Sequence, residues 1–208
     1  MRTQVPRTNT ASQNPLKFED GRTEMIFYNP SAPYLMTNVI PPGKSFFNPP
    51  LHLHLFQTEL FHITSGTAAF YLRPSSKNPG PTLVPPGDTI HIPRRAYHRF
   101  ENASKTENLV IDLRLDPQQW DVEECFFRNF FGYFEDCRKA GREPSFFQIM
   151  RFLHANDTPL AIPVPEWCPE WVGCWVSRIF LVVAGLLIGE WTLGYKGSYS
   201  EYYRRRTE

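Results

Sequence analysis

Proline and glycine punctuate residues 25–116 so densely that a helical bundle is disfavoured, leaving short extended runs joined by turns. β-type runs fall at 25–28, 51–56, 59–64, 67–72, 89–92 and 109–115, with Ser65-Gly66 as a tight hairpin turn and 73–87 as loop. Several short strands at this spacing predict a mainly β fold, an antiparallel sandwich or barrel. The chain has 208 residues, which suits one domain with a sizeable extension.

Texture divides the chain into a loose polar leader over 1–24, the β region over 25–116 and a helical extension over 117–208. Asp121 is placed as a helix N-cap, and Val122, Cys125, Phe126, Phe130, Tyr133, Phe134 and Cys137 recur at helical spacing up to Gly141. A second helix starts near Ser145 and carries Phe146, Phe147, Ile149, Met150, Phe152 and Leu153. These aromatics predict core packing between the two helices and the sheet, with a substrate-facing lid or a homodimer interface as alternatives. An apolar helix is expected near 171–193, with residues 179–189 free of charge. Its apolar side chains fall on all faces, so burial in protein, in a dimer or in a membrane is required.

With 22 basic and 21 acidic residues the net charge is +1, which gives no electrostatic support for nucleic-acid binding. The leader lacks the apolar run of a secretory signal, so a cytoplasmic location is expected, with membrane association through 171–193 as a variant of it. Cys125, Cys137, Cys168 and Cys174 match no metal-finger spacing and read as free thiols.

The chemistry concentrates in the β region. The period of two in His52-Leu53-His54 puts both imidazoles on one face of an extended chain. Glu59 follows after four residues and Gly66 after six more. A second group holds Gly87, Pro93, Tyr97, His98, Phe100 and Asn102. Two same-face histidines with a carboxylate in reach make a candidate metal site of the kind that holds non-haem iron. His62 falls on the opposite strand face from Glu59, and His91 and His154 have no clear place in the cluster.

In identity and spacing, His52, His54, Glu59 and Gly66 resemble the first motif of the cupin superfamily, and Gly87, Pro93, His98 and Asn102 resemble the second. Two positions depart from the pattern: Gly43 stands farther from His52 than usual, and Arg95 replaces the second motif's glycine. The resemblance implies a single antiparallel jelly-roll barrel with one divalent transition metal held by His52, His54, Glu59 and His98. Iron is favoured, with manganese, nickel, copper and zinc as alternatives. Phe56, Phe61, Phe70, Tyr97 and Phe100 are the candidate lining of an apolar substrate pocket, and Glu59 is a candidate base. The extension looks similar to fungal cupins of specialised metabolism. This implies an oxidoreductase, in one version a dioxygenase, acting on a polyketide-type small molecule. A non-redox metal enzyme (isomerase, dehydratase, decarboxylase or cyclase) and a non-enzymatic binding module stay open as alternatives.

Overall fold

The computed structural model describes residues 5–73, 80–165 and 167–205; 74–79 of the loop expected over 73–87 and 1–4 of the leader lie outside the described residues. Two compact units arise. One combines Asn14–Gln119 with Thr158–Ser177, and the other holds the residues up to Gln13, Trp120–Asp157 and those from Arg178 onward.

Among the described residues of the first unit, nine strands form: β1 (Leu16–Phe18), β2 (Thr23–Phe27), β3 (Met36–Ile40), β4 (Thr58–Ser65), β5 (Ala68–Arg73), β6 (Thr82–Val84), β7 (Thr89–Ile92), β8 (Tyr97–Asn102) and β9 (Leu109–Asp116). They make a six-stranded sheet in the order β1-β2-β3-β9-β4-β7 and a three-stranded sheet in the order β6-β5-β8, with every pairing antiparallel. This corrects the expected single jelly-roll barrel: the chain forms two open sheets, and among the described residues no strand ladder closes one onto the other. The prolines supply a physical reason. Pro41, Pro42, Pro49 and Pro50 between β3 and β4, and Pro85, Pro86 and Pro93 around β7, remove the amide donors a continuous ladder would need.

Alternation decides what each strand buries. On β4 the inward residues are Glu59, Phe61 and Ile63; on β8 they are His98, Phe100 and Asn102; on β9 they are Leu109, Ile111, Leu113 and Leu115. Gly66 turns β4 into β5 with a φ of 75°, and a Cβ there would lie 2.6 Å from the Asn108 carbonyl oxygen. The run expected at 51–56 is no regular strand, because its pairing shrinks to single bridges from His52 to His98 and to Leu160. Strand β1 begins inside the segment expected as leader, with Leu16 and Phe18 buried.

The second unit is helical: α1 (Trp120–Lys139), α2 (Phe146–Ala155) and the end of α3 (Glu170–Leu181), which runs on as π-helix over Val182–Thr192. Helix α1 starts at Trp120, so Asp121 lies in its first turn rather than at its cap. Its buried face carries more charge than the aromatic stripe suggests. Glu124 pairs with Arg128 at 2.7 Å, and Asp136 accepts the Tyr202 hydroxyl at 2.6 Å and the Thr8 hydroxyl at 2.6 Å. Segments from both ends of the sequence thus clamp onto one helix.

The apolar segment is one helix of 23 residues, Glu170–Thr192, with mean hydropathy 2.0 in its most apolar window, long and apolar enough to cross a membrane. It is not wholly covered by its own chain, since Ile179 is 61% and Trp191 71% exposed.

Candidate metal centre

Three pieces of backbone converge on one point. Strand β4 presents Glu59, β8 presents His98, and the extended stretch before β4 presents His52 and His54. Reciprocal backbone bonds tie His52 to His98, with N–H to carbonyl distances of 3.0 and 2.8 Å. All four side chains are buried, between 1% and 8% exposed, and one donor atom from each lies within 4.8 Å of the others.

The imidazoles are oriented for ligation. His52 Nδ1–H donates to the Pro50 carbonyl at 2.9 Å and His98 Nδ1–H to the Ala96 carbonyl at 3.0 Å, which leaves each Nε2 as the inward lone pair. Glu59 reaches two of the three histidines: Oε1 is 3.3 Å from His54 Nε2 and Oε2 is 2.5 Å from His98 Nε2. Neither approach has the geometry of a hydrogen bond, and His98 Nε2, Glu59 Oε2 and both His54 nitrogens are buried polar atoms without a hydrogen-bond partner. Burying such atoms unpaired is costly, and a cation among them would satisfy all three residues at once. The donor set therefore fits a divalent transition metal, with imidazole and carboxylate ligands suited to iron, manganese, nickel, copper or zinc.

Electrostatics agree with the geometry. Burial, reinforced by His98 and His54, lowers the His52 pKa to about 3, so this imidazole is neutral and available as a ligand. Burial would raise the Glu59 carboxyl, but the adjoining His54 and His98 outweigh it and hold the group well below the usual range. Burial opposes a charge on His98 too, yet Glu59 lifts its pKa above the ordinary value.

Arg95 occupies the turn between β7 and β8 with a φ of 70°, the left-handed region that favours glycine. Its amide donates to the His54 carbonyl at 2.6 Å, so the turn supports the ligand-bearing stretch. Asn102 is a loop clamp: its amide nitrogen donates to the carbonyls of Ile40 and Glu107 at 3.0 and 2.8 Å.

The expected pocket residues divide. Phe61, Phe70 and Phe100 form a buried triangle with ring centroids 5.2 to 5.4 Å apart. Phe61 and Phe100 stand two residues beyond Glu59 and His98 on the same inward faces, so the triangle is a floor one layer from the ligands. Phe56 is 60% exposed and is not brought to this group. Tyr97 turns away from His98 and packs against Leu53, Leu55 and Cys174. His62 Nδ1 is 3.0 Å from the Thr89 hydroxyl, His91 is exposed, and His154 lies on α2.

Sequence reasoning missed the return of Thr158–Ser177 to this unit. Leu53 N–H donates to the Pro159 carbonyl at 3.1 Å and Ala161 N–H to the Leu51 carbonyl at 2.9 Å, so 158–162 flanks the histidine stretch. No periodicity in that proline-containing segment marks it as a strand partner.

Comparison with known proteins matches residues 37–114 to the Cupin domain family. The Hypocrea virens protein named "Probable oxidoreductase virH" is 35% identical, over 91% of this chain and 80% of the relative. "Oxidoreductase iacF" of Pestalotiopsis fici is 34% identical, over 68% of this chain and 69% of its own. The chain belongs to the cupin family. The solved cupin domain of Drosophila melanogaster CENP-C, 16% identical with a TM-score of 0.38 over 47% of this chain and 66% of its own, adds nothing to that assignment. As a cupin with an intact four-donor cluster and fungal relatives named oxidoreductases, the protein is a metal-dependent enzyme.

Proposed function

We propose that this cupin is an oxidoreductase that binds one divalent transition metal, iron first, and uses dioxygen to transform an apolar small molecule of polyketide type. The observation carrying the proposal is the set of four buried donors, of which His54, Glu59 and His98 hold inward atoms without a hydrogen-bond partner. The class name shared by the relatives supports the redox reading.

His52, His54, Glu59 and His98 would hold a redox-active metal, which would supply the electron-transfer chemistry that oxygen activation needs. The protein's own groups do the rest. His52 and His98 are locked in one tautomer by backbone carbonyls, so loading needs no ring rotation. Glu59 is the only anion of the cluster, and because it raises the His98 pKa, any proton on His98 would have to leave before that imidazole could ligate a cation. The phenylalanine floor keeps water from one side, which suits an apolar substrate and a reactive intermediate.

The test is metal content of the purified protein beside a His52→Ala, His98→Ala double variant, followed by oxygen uptake with candidate substrates. About one iron per chain, lost in the variant, with substrate-dependent oxygen uptake supports the proposal. Stoichiometric zinc, or turnover unchanged without oxygen, overturns the redox reading in favour of Lewis-acid chemistry. No metal in either protein after reconstitution overturns the metal enzyme itself.

A further inference from the structure

Extended backbone gives the histidine stretch two faces, and both are buried. His52 and His54 face the metal centre, while Leu53 and Leu55 face away from it and are 0% and 4% exposed. The stretch pairs through single bridges rather than a ladder, so its outward face needs a cover of another kind. The first turns of α3 supply it: Leu53, Leu55 and Cys174 form one buried cluster, with Tyr97 packed against it. Every residue of this contact lies in the unit that holds the four donors.

Through the backbone, the contact reaches three of those donors. Tyr97 immediately precedes His98 on β8 and projects from the opposite face. His98 is in turn tied to His52 by their reciprocal backbone bonds. The Cys174 thiol lies 3.9 Å from the Arg95 carbonyl oxygen, and the amide of that same Arg95 holds the His54 carbonyl. Glu59 is the exception, since ladders to β7 and β9 fix β4. Helix α3 is itself anchored here, because Ile162 N–H donates to Ser177 Oγ at 3.0 Å.

The contact is tightest at Gly173. Glycine inside a helix is disfavoured relative to alanine, and Gly173 is helical without a left-handed φ, so its backbone does not call for glycine. The surroundings do. A Cβ there would lie 2.6 Å from the Tyr97 hydroxyl oxygen and 3.3 Å from Val164 Cγ2, but 3.6 Å from Tyr97 Cζ, an ordinary contact. The hydroxyl therefore fills the volume of the missing side chain. It is buried and, among the described residues, makes no hydrogen bond, so its fit against the helix is steric.

We propose that Gly173 and Tyr97 are positioning residues of the metal centre. Seated on bare α3 backbone, the Tyr97 hydroxyl sets how closely the start of α3 backs β8 and the histidine stretch. It thereby sets the spacing of His52, His54 and His98, a role that rests on reading these residues as metal ligands.

Titration of the metal-free full chain with cobalt(II) tests this, because visible absorption of the bound ion reports affinity and ligand geometry together. The unaltered chain is expected to take up about one cobalt. Gly173→Ala, which favours the helix but sets a methyl group against the hydroxyl, is expected to bind roughly 10–100-fold more weakly, with shifted bands. Adding Tyr97→Phe removes the opposing oxygen, so the double variant is expected to recover most of the affinity and the original bands. Should Gly173→Ala misfold, Leu55→Ala thins the backing without inserting an atom and is expected to weaken binding by a similar factor. Unaltered affinity and bands in Gly173→Ala, or in Leu55→Ala where that variant is used, overturn the proposal. A loss in Gly173→Ala that Tyr97→Phe does not relieve overturns it too. An unaltered chain that binds no cobalt overturns the metal centre itself, and that arm needs no variant, so the two failures are told apart.

Discussion

Arg95 carries a left-handed backbone that costs an L-residue about 1 kcal/mol or more, at a position where its family pattern has glycine. Arg95→Gly should therefore raise stability by up to about 1 kcal/mol in urea unfolding without loss of metal, because the amide that holds the His54 carbonyl is backbone and stays. His52 makes a pH prediction. Its folded pKa of about 3 lies below the unfolded value near 6.5, so on acidification the unfolded chain takes up a proton that the folded one refuses. Metal-free protein should lose about 1.6 kcal/mol between pH 6.5 and 5, as the unfolded imidazole goes from half to nearly full protonation, and His52→Gln should flatten that slope in thermal melts. The raised His98 pKa adds stability that is complete below pH 6.5 and fades as pH rises through its folded value, so it does not cancel the acid effect. The ligand residues were legible in the sequence because identity and spacing are local. Their protonation was not, since it follows from burial and from partners distant in the chain.

At the scale of elements, the β4–β5 hairpin rests on Gly66, where both the positive φ and the nearby Asn108 carbonyl exclude a side chain. Gly66→Ala should cost more than about 1 kcal/mol in denaturant unfolding. The floor under the ligands depends on Phe70, fully buried between Phe61 and Phe100, and Phe70→Ala should cost about 3–5 kcal/mol by the same measurement. Strands with strict alternation, such as β4 and β9, were readable at once because one face must be apolar. Strands β1 and β6 have only three residues each, too few for alternation to register. The closure expected of the sheets failed because closure depends on which edges find partners, and no local pattern encodes that.

For the whole molecule, metal loading is a stability term. A ligand that binds only the folded chain adds about 2.7 kcal/mol at a hundred times its dissociation constant, so chelation should lower the melting temperature and readdition restore it. Glu59→Gln should abolish most of that chelator sensitivity while the chain still folds, since glutamine keeps the shape without the charge. The unit that holds the site is discontinuous, and this sets a clock on its assembly. During synthesis all four donors have been made once His98 is added, but Leu160, which bridges to His52, follows some sixty residues later. At about 5–20 residues per second the ribosome needs roughly three to twelve seconds for that stretch. Through that interval a nascent chain carries every ligand while the histidine stretch lacks one flank, so a free ion could meet the donors before their final support exists.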